Sequence, residues 1–237
     1  MIGIVIPAHN EEDSIASCVA AAVLAGKNAE LEDEPVVVVV VLDRCHDGTG
    51  AIARSMGART LSVDFANVGA ARAAGAALLL TEGARWLGFT DADTLVSPRW
   101  LVDQLALGAD AVCGSIGVQD WTPHGVHALS LEAHFRNTYS DCEGHSHIHG
   151  ANLGVAADAY LRAGGFAPLA CSEDVALVEA LQRTGARIAW SALPRVVTSA
   201  RADARARGGF GDTLLAVTAA RLAALVIAQG AEGLKAF

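Results

Sequence analysis

The run Val36-Val37-Val38-Val39-Val40-Val41-Leu42 leaves this chain few ways to fold. Branched residues in unbroken succession, with no polar residue alternating among them, suit a strand covered on both faces, as in a parallel sheet flanked by helices. The run stops at Asp43. Upstream, Ile2-Gly3-Ile4-Val5-Ile6 reads as a second buried strand ending at Pro7, after which Ile15, Cys18, Val19, Ala22 and Val23 recur at helical spacing. Asn10 with Asp13 resembles a helix start. Downstream, a helix over Ala51 to Met56 closes at Gly57, Thr60 to Val63 forms a short strand, and Asn67 caps an Ala-rich helix reaching Leu80. Trp86 to Thr90 is the next strand, Ser97-Pro98 opens a helix to Leu107, and a strand lies around Asp110 to Cys113. This alternation predicts an α/β open sheet.

Beyond about residue 117 the alternation weakens into a polar, His-rich stretch from Trp121 to Gly150, followed by an Asn152-to-Val155 strand candidate. A helix is expected over Glu173 to Thr184, closed by Gly185, then a strand over Arg187 to Trp190 and an extended piece from Pro194 to Thr198. Asp212 to Gln229 reads as a final amphipathic helix that packs on its own domain or a second subunit, with peripheral membrane contact as the alternative. Leu214 to Ala228 is interrupted by Arg221 and too short to span a bilayer. No repeat and no low-complexity linker divides the chain.

An apolar fraction of 52% over 237 residues is ample for a core, and a net charge of −9 argues against a nucleic-acid partner. An anionic ligand would therefore need local help from a cation, a helix start or a few arginines. Five scattered cysteines form no Cys-x-x-Cys pair, and the N-terminus carries no export signal, so a cytoplasmic protein with free thiols is expected.

Strands that run parallel deliver their C-terminal ends to one edge, which is where such sheets bind ligands. Three of the predicted ends are polar: Pro7-Ala8-His9-Asn10-Glu11-Glu12, Asp43-Arg44-Cys45-His46-Asp47-Gly48-Thr49 and Asp91-Ala92-Asp93. Two carboxylates as close as Asp91 and Asp93 repel unless a cation, a proton or water intervenes. Their oxygens suit Mg2+ or Mn2+, ions that commonly bridge carboxylates to substrate phosphates. The alternative, that one of the pair caps the next helix, competes with Ser97-Pro98, and Asp47 is expected to cap the helix at Ala51.

On these motifs, in this order, the chain from Ile2 to about Thr198 resembles the family 2 glycosyltransferases, enzymes of the GT-A fold that use nucleotide-sugar donors. The resemblance implies one GT-A type, Rossmann-like domain over 1–210, with a mixed, mostly parallel sheet and helices on both faces. Residues 1–116 would be its nucleotide-sugar half, 117–210 its acceptor half, and 211–237 the C-terminal amphipathic helix. Pro7, Ala8 and Glu11 would frame the nucleoside and Asp43 would accept a hydrogen bond from the base, although Leu42 and Arg44 depart from the family's Asp-Asp-Gly-Ser pattern. Asn67-Val68-Gly69-Ala70-Ala71-Arg72 resembles the family's Gly-x-x-x-Arg helix start. There Arg72 faces the nucleotide or its diphosphate, unless it lies on a solvated helix face, where Arg is common.

Asp93 is implied as the metal ligand and Asp91 as a contact to ribose or sugar that shares the metal site, with Mn2+ or Mg2+ as cofactor. Glu173-Asp174 resembles the family's acceptor-side pair: Asp174 as the base, Glu173 contacting the acceptor or orienting its neighbour. Two acids at a helix start also simply complement its dipole. Gly150-Ala151-Asn152 resembles the acceptor-side Gly-x-Asn segment, where Gly150 admits the sugar and Asn152 offers donor and acceptor groups.

His145, His147 and His149 alternate, which invites a transition-metal reading that no Cys or carboxylate at a recognised spacing supports. Arg201, Arg205 and Arg207 before Gly208-Gly209 form a candidate closing loop. The processive members' Gln-x-x-Arg-Trp motif is absent. The expected activity is metal-dependent, inverting transfer from a nucleotide-diphospho-sugar to an acceptor hydroxyl. Two rivals remain: a nucleotidyltransferase, which wants a basic Gly-rich loop where Ala8-His9-Asn10-Glu11-Glu12 is acidic, and a non-catalytic nucleotide-sugar-binding protein of the same fold.

Overall fold

The computed structural model describes residues Met1–Arg201, so the expected closing loop beyond Arg201 and the C-terminal helix lie outside the described residues. The first half alternates as its apolar periods require: β1 (Ile2–Ala8), α1 (Ile15–Gly26), β2 (Val36–Asp43), α2 (Thr49–Ser55), β3 (Arg59–Val63), α3 (Val68–Thr81), β4 (Trp86–Phe89), β5 (Leu95–Val96), α4 (Trp100–Ala106) and β6 (Ala111–Val118). It continues through α5 (Ala128–Thr138), β7 (Leu153–Ala156), α6 (Ala157–Ala163), α7 (Glu173–Arg183) and β8 (Ile188–Thr198). Asn67 caps α3 as expected, its side chain accepting from Ala70 N–H over 2.8 Å.

One mixed sheet has the order β3-β2-β1-β4-β7-β6-β8-β5. β1 pairs parallel with β2 and β4, β2 with β3, and β6 with β8. β7 runs antiparallel between β4 and β6, and β5 antiparallel to β8. This is the α/β architecture expected, a doubly covered sheet of mostly parallel pairs. The side chains of β1 and β2 alternate between two buried layers, so the valine run needs no polar face. Val5, Val39 and Val41 share one layer with Leu79 of α3 and with Leu177 and Leu181 of α7. Ile4, on the opposite face, is level with Gly88, whose Cβ would stand 2.8 Å from the Trp100 ring of α4. Gly75 lets α3 approach: a Cβ there would meet Val5 at 2.6 Å and Val41 at 2.9 Å.

The sheet lies in a compact unit of Met1–Gln119 with Asp141–Ser199. Asp120–Ser140 belongs to a second unit, in which Trp121 packs on Phe135 at 5.6 Å between ring centroids and Phe135 stacks on Tyr139 at 4.6 Å. Four differences from the sequence reading stand out. α5 lies within the polar stretch from Trp121 to Gly150, and α6 is additional to the elements expected from the sequence. β8 is one continuous strand through Pro194, and α4 starts two residues late, at Trp100, with no side-chain cap.

Candidate active site

Because β1, β2 and β4 are parallel and in register, their C-terminal ends share an edge: Ala8 is level with Leu42, and Val5 with Phe89. The loops after β1 and β2 are laced together. Glu11 N–H donates to Thr49 Oγ1 over 2.7 Å, Glu12 N–H to Asp47 over 3.1 Å, and Gly48 N–H to Glu12 over 2.8 Å. Asp47 also accepts from Thr49 N–H and Thr49 Oγ1 just ahead of α2, although the cap position itself is Gly48 and carries no side-chain cap. Pro7 is half-buried, whereas Ala8 and Glu11 are buried, with Glu11 Oε2 accepting from Ser14 Oγ.

Asp43 is buried, and its carboxylate accepts three backbone N–H bonds, from Phe65 and Ala66 on Oδ1 and Asn67 on Oδ2, at 2.8 to 2.9 Å. A carboxylate has about four acceptor sites, so one remains for another donor. Asp43 thus shapes the turn that leads from β3 into α3.

Asp91 to Thr94 form a turn after β4, closed by Thr94 N–H on the Asp91 carbonyl over 3.1 Å. Beneath it the Cys18 thiol donates to the same carbonyl over 3.2 Å. Burial pushes this thiol's pKa well up, and the charges of Asp93, Asp91 and Glu11 push it further, which places acids from two strand ends around one buried sulfur. Nothing in the sequence singled out Cys18 beyond its helical spacing.

Arg72 is buried, which overturns the solvated-face reading. Its Nη2 donates to Asp91 and its Nη1 to Glu173, and its Cζ stands 5.7 Å from the centre of the Phe166 ring. Asp91 keeps 38% of its side chain exposed, against 4% for Arg72 and 6% for Glu173. Glu173 is buried, with its carboxylate paired to Arg72. Asp174, half-buried at the start of α7, accepts from Gly150 N–H on Oδ2 at 2.7 Å and from Val175 N–H on Oδ1 at 2.8 Å. Burial, with the Asp174 charge adding, pushes the nearby Cys113 thiol up to about 12.

Asn152 requires a correction. It is fully buried, and its amide accepts from the Trp100 indole over 2.8 Å and donates to the carbonyls of Ser115 and Pro194 over 2.7 and 2.9 Å. Those bonds fasten α4, β6 and β8 together, so this side chain is not available to an acceptor. Gly150 is likewise closed to a sugar on its Cα side, since a Cβ there would lie 2.4 Å from Arg72 Nη2.

The rings of His145, His147 and His149 stack in sequence at 5.4 and 5.9 Å, with Trp190 edge-on to His145. Burial, then the charges of His147 and His145, push His149 down to about 4 against an opposing pull from Asp91. Among the described residues no group of three His, Cys, Asp or Glu side chains is arranged to hold a metal alone. Mg2+ and Mn2+ typically take only one or two carboxylates and complete their shell with phosphate oxygens and water, so a pair such as Asp91, 38% exposed, and Asp93 has the donor chemistry for them.

Comparison with known proteins bears on the family and the fold. The family model described as glycosyl transferase family 2 matches residues 3–160. The crystal structure of S. aureus TarS 1-349 in complex with UDP-GlcNAc superposes with a TM-score of 0.63 at 14% identity, covering 88% of this chain and 61% of that one. M. tuberculosis glucosyl-3-phosphoglycerate synthase, in complex with Mn2+, uridine diphosphate and glucosyl-3-phosphoglycerate, gives a TM-score of 0.56 at 19% identity, covering 84% and 71%. The chain thus spans about three fifths of the TarS 1-349 structures, and these likenesses bear on the fold. No curated protein matches.

Proposed function

The chain belongs to glycosyl transferase family 2, and from that premise we propose that it transfers a sugar from a nucleotide-diphospho-sugar to an acceptor hydroxyl with inversion. The observation that carries this reading is the Arg72 bridge, which brings Asp91 at the nucleotide edge and Glu173 at the head of α7 onto one guanidinium. Donor-side and acceptor-side acids are thereby one cluster.

Pro7, Ala8 and Glu11 line the nucleoside side, and Asp43 offers its remaining acceptor site to the base. Asp93 and the partly exposed Asp91 would hold Mg2+ or Mn2+. Such an ion supplies Lewis-acid neutralisation of the charge that develops on the departing diphosphate. Asp174 accepts the proton of the acceptor hydroxyl as that oxygen bonds to the anomeric carbon. The bond from that carbon to the diphosphate oxygen breaks on the opposite face, and the electron pair leaves with the nucleotide. Two backbone N–H bonds fix the orientation of the Asp174 carboxylate, and geometry is the first requirement of a base. The Gly150 segment contributes through its backbone N–H. The scattered free thiols, Cys142 and Cys171 exposed among them, favour a cytoplasmic setting.

Incubation with a panel of nucleotide sugars and Mn2+ tests the reading. Metal-dependent binding and slow hydrolysis of at least one donor are expected. Neither binding nor hydrolysis of any member would remove it.

A further inference from the structure

We propose that Arg72 is a positioning residue that sets the base Asp174 relative to the donor acid Asp91, and that it is not a ligand of the diphosphate; this rests on the function proposed above. Both terminal nitrogens of the guanidinium are committed, Nη2 to Asp91 and Nη1 to Glu173, and only 3% of the residue is exposed. Nε has no hydrogen-bond partner. Burial, with a carboxylate on each terminal nitrogen, leaves a phosphate almost no surface of this group to reach.

The surroundings are built to the guanidinium's shape. Phe166 lies to one side of it. Gly150 abuts it as well, since a Cβ there would stand 2.4 to 2.6 Å from Nη2, Cζ and Nη1. Gly69, three residues before Arg72 on α3, is equally tight: its Cβ would meet the Ala167 carbonyl at 2.3 Å and Glu173 Cβ at 3.0 Å. The starts of α3 and α7 are therefore seated on one another at the point where the ion pair forms. From Glu173 the chain passes directly to Asp174, whose carboxylate is held by the N–H of Gly150, the residue that abuts Arg72. A displaced guanidinium would release Glu173 and crowd Gly150, the two features that aim the base. A lysine carries the charge as a point and cannot bridge two carboxylates in this planar way.

The test uses Arg72→Lys, Glu173→Gln and their double variant on whichever panel donor the wild type turns over. Each single variant should keep the donor KM within about threefold and lower kcat by about thirtyfold or more, because an interaction that orients the base acts on the chemical step. The double variant should lose no more than the worse single one. A donor KM raised about tenfold at unchanged kcat in Arg72→Lys would show that Arg72 grips the diphosphate and would overturn the proposal. So would multiplicative losses in the double variant. If Arg72→Lys does not fold, Glu173→Gln carries the test alone, and an unchanged kcat there overturns the proposal. If the wild type turns over no donor, the proposed function has failed. The coupling is then read from urea midpoints of the same variants, where a non-additive double variant supports the Arg72–Glu173 coupling and an additive one refutes it.

Discussion

The backbone N–H of Gly150 points at Oδ2 of Asp174 across 2.7 Å, and the N–H of Val175 at Oδ1 across 2.8 Å. Each donor meets a carboxylate oxygen, which can only accept, and together they hold the side chain in one orientation. Asp174→Asn would set an amide NH2 against one of them while removing the basic oxygen. The expected result is donor binding within about threefold of wild type and transfer lowered by about 100-fold to 10,000-fold, the usual range for a lost general base. Calorimetry with donor and Mn2+, beside an acceptor assay, separates the two effects. Parallel loss of both would mean that the base is assigned to the wrong residue.

Of the two acids in this turn, Asp91 is the one seen paired with Arg72, and Asp93 is the one implied as the direct metal ligand. Asp93→Ala should abolish the Mn2+-dependent part of donor affinity and leave whatever binding survives in EDTA unchanged, since the nucleoside side is built from other residues. Titration of donor with and without Mn2+ reads this directly. Equal Mn2+ dependence in variant and wild type would put the ion elsewhere.

Legibility in the sequence follows the range of the interaction. The valine run of β2, the helical spacing of α1 and the Asn67 cap are local patterns, and each falls where its period places it. The acidic strand ends met because parallel strands must deliver them to one edge. Arg72 could not be read that way, because Glu173 lies 101 residues further along and no local period reports the partner. Asn152 misled for the same reason: a polar residue two places after a glycine resembles a sugar contact until α4, β6 and β8 close on it. α5 hid for another cause, since Leu131 is its single buried residue and leaves no apolar stripe.

Asn152 makes a stability prediction with no catalytic component. Asn152→Leu retains bulk but strips partners from the Trp100 N–H and the carbonyls of Ser115 and Pro194, all inside the fold. Each buried group left unpaired costs about 1 to 3 kcal/mol, so a loss of at least about 3 kcal/mol is expected. Gly114 makes the site unforgiving, because its missing Cβ would stand 2.1 Å from the Asn152 amide. Urea unfolding measures the loss, and a variant within about 1 kcal/mol of wild type would contradict the bonding described.

His149 gives the fold a defined acid sensitivity. Burial first, and the neighbouring His147 and His145 next, hold its pKa near 4 instead of the ordinary 6.5, with Asp91 pulling the other way. The unfolded chain therefore takes up a proton on this residue as pH drops through about 6.5, while the folded chain resists until about 4. Its contribution is complete above about pH 6.5, declines as the pH falls towards 4 and changes little below that. In His149→Gln this part of the decline should vanish, so the stability gap between wild type and variant should shift in the variant's favour as pH is lowered from 7 to 4.5. Urea midpoints at three or four pH values across that window decide it. A gap that stays constant would show that His149 titrates as an ordinary histidine.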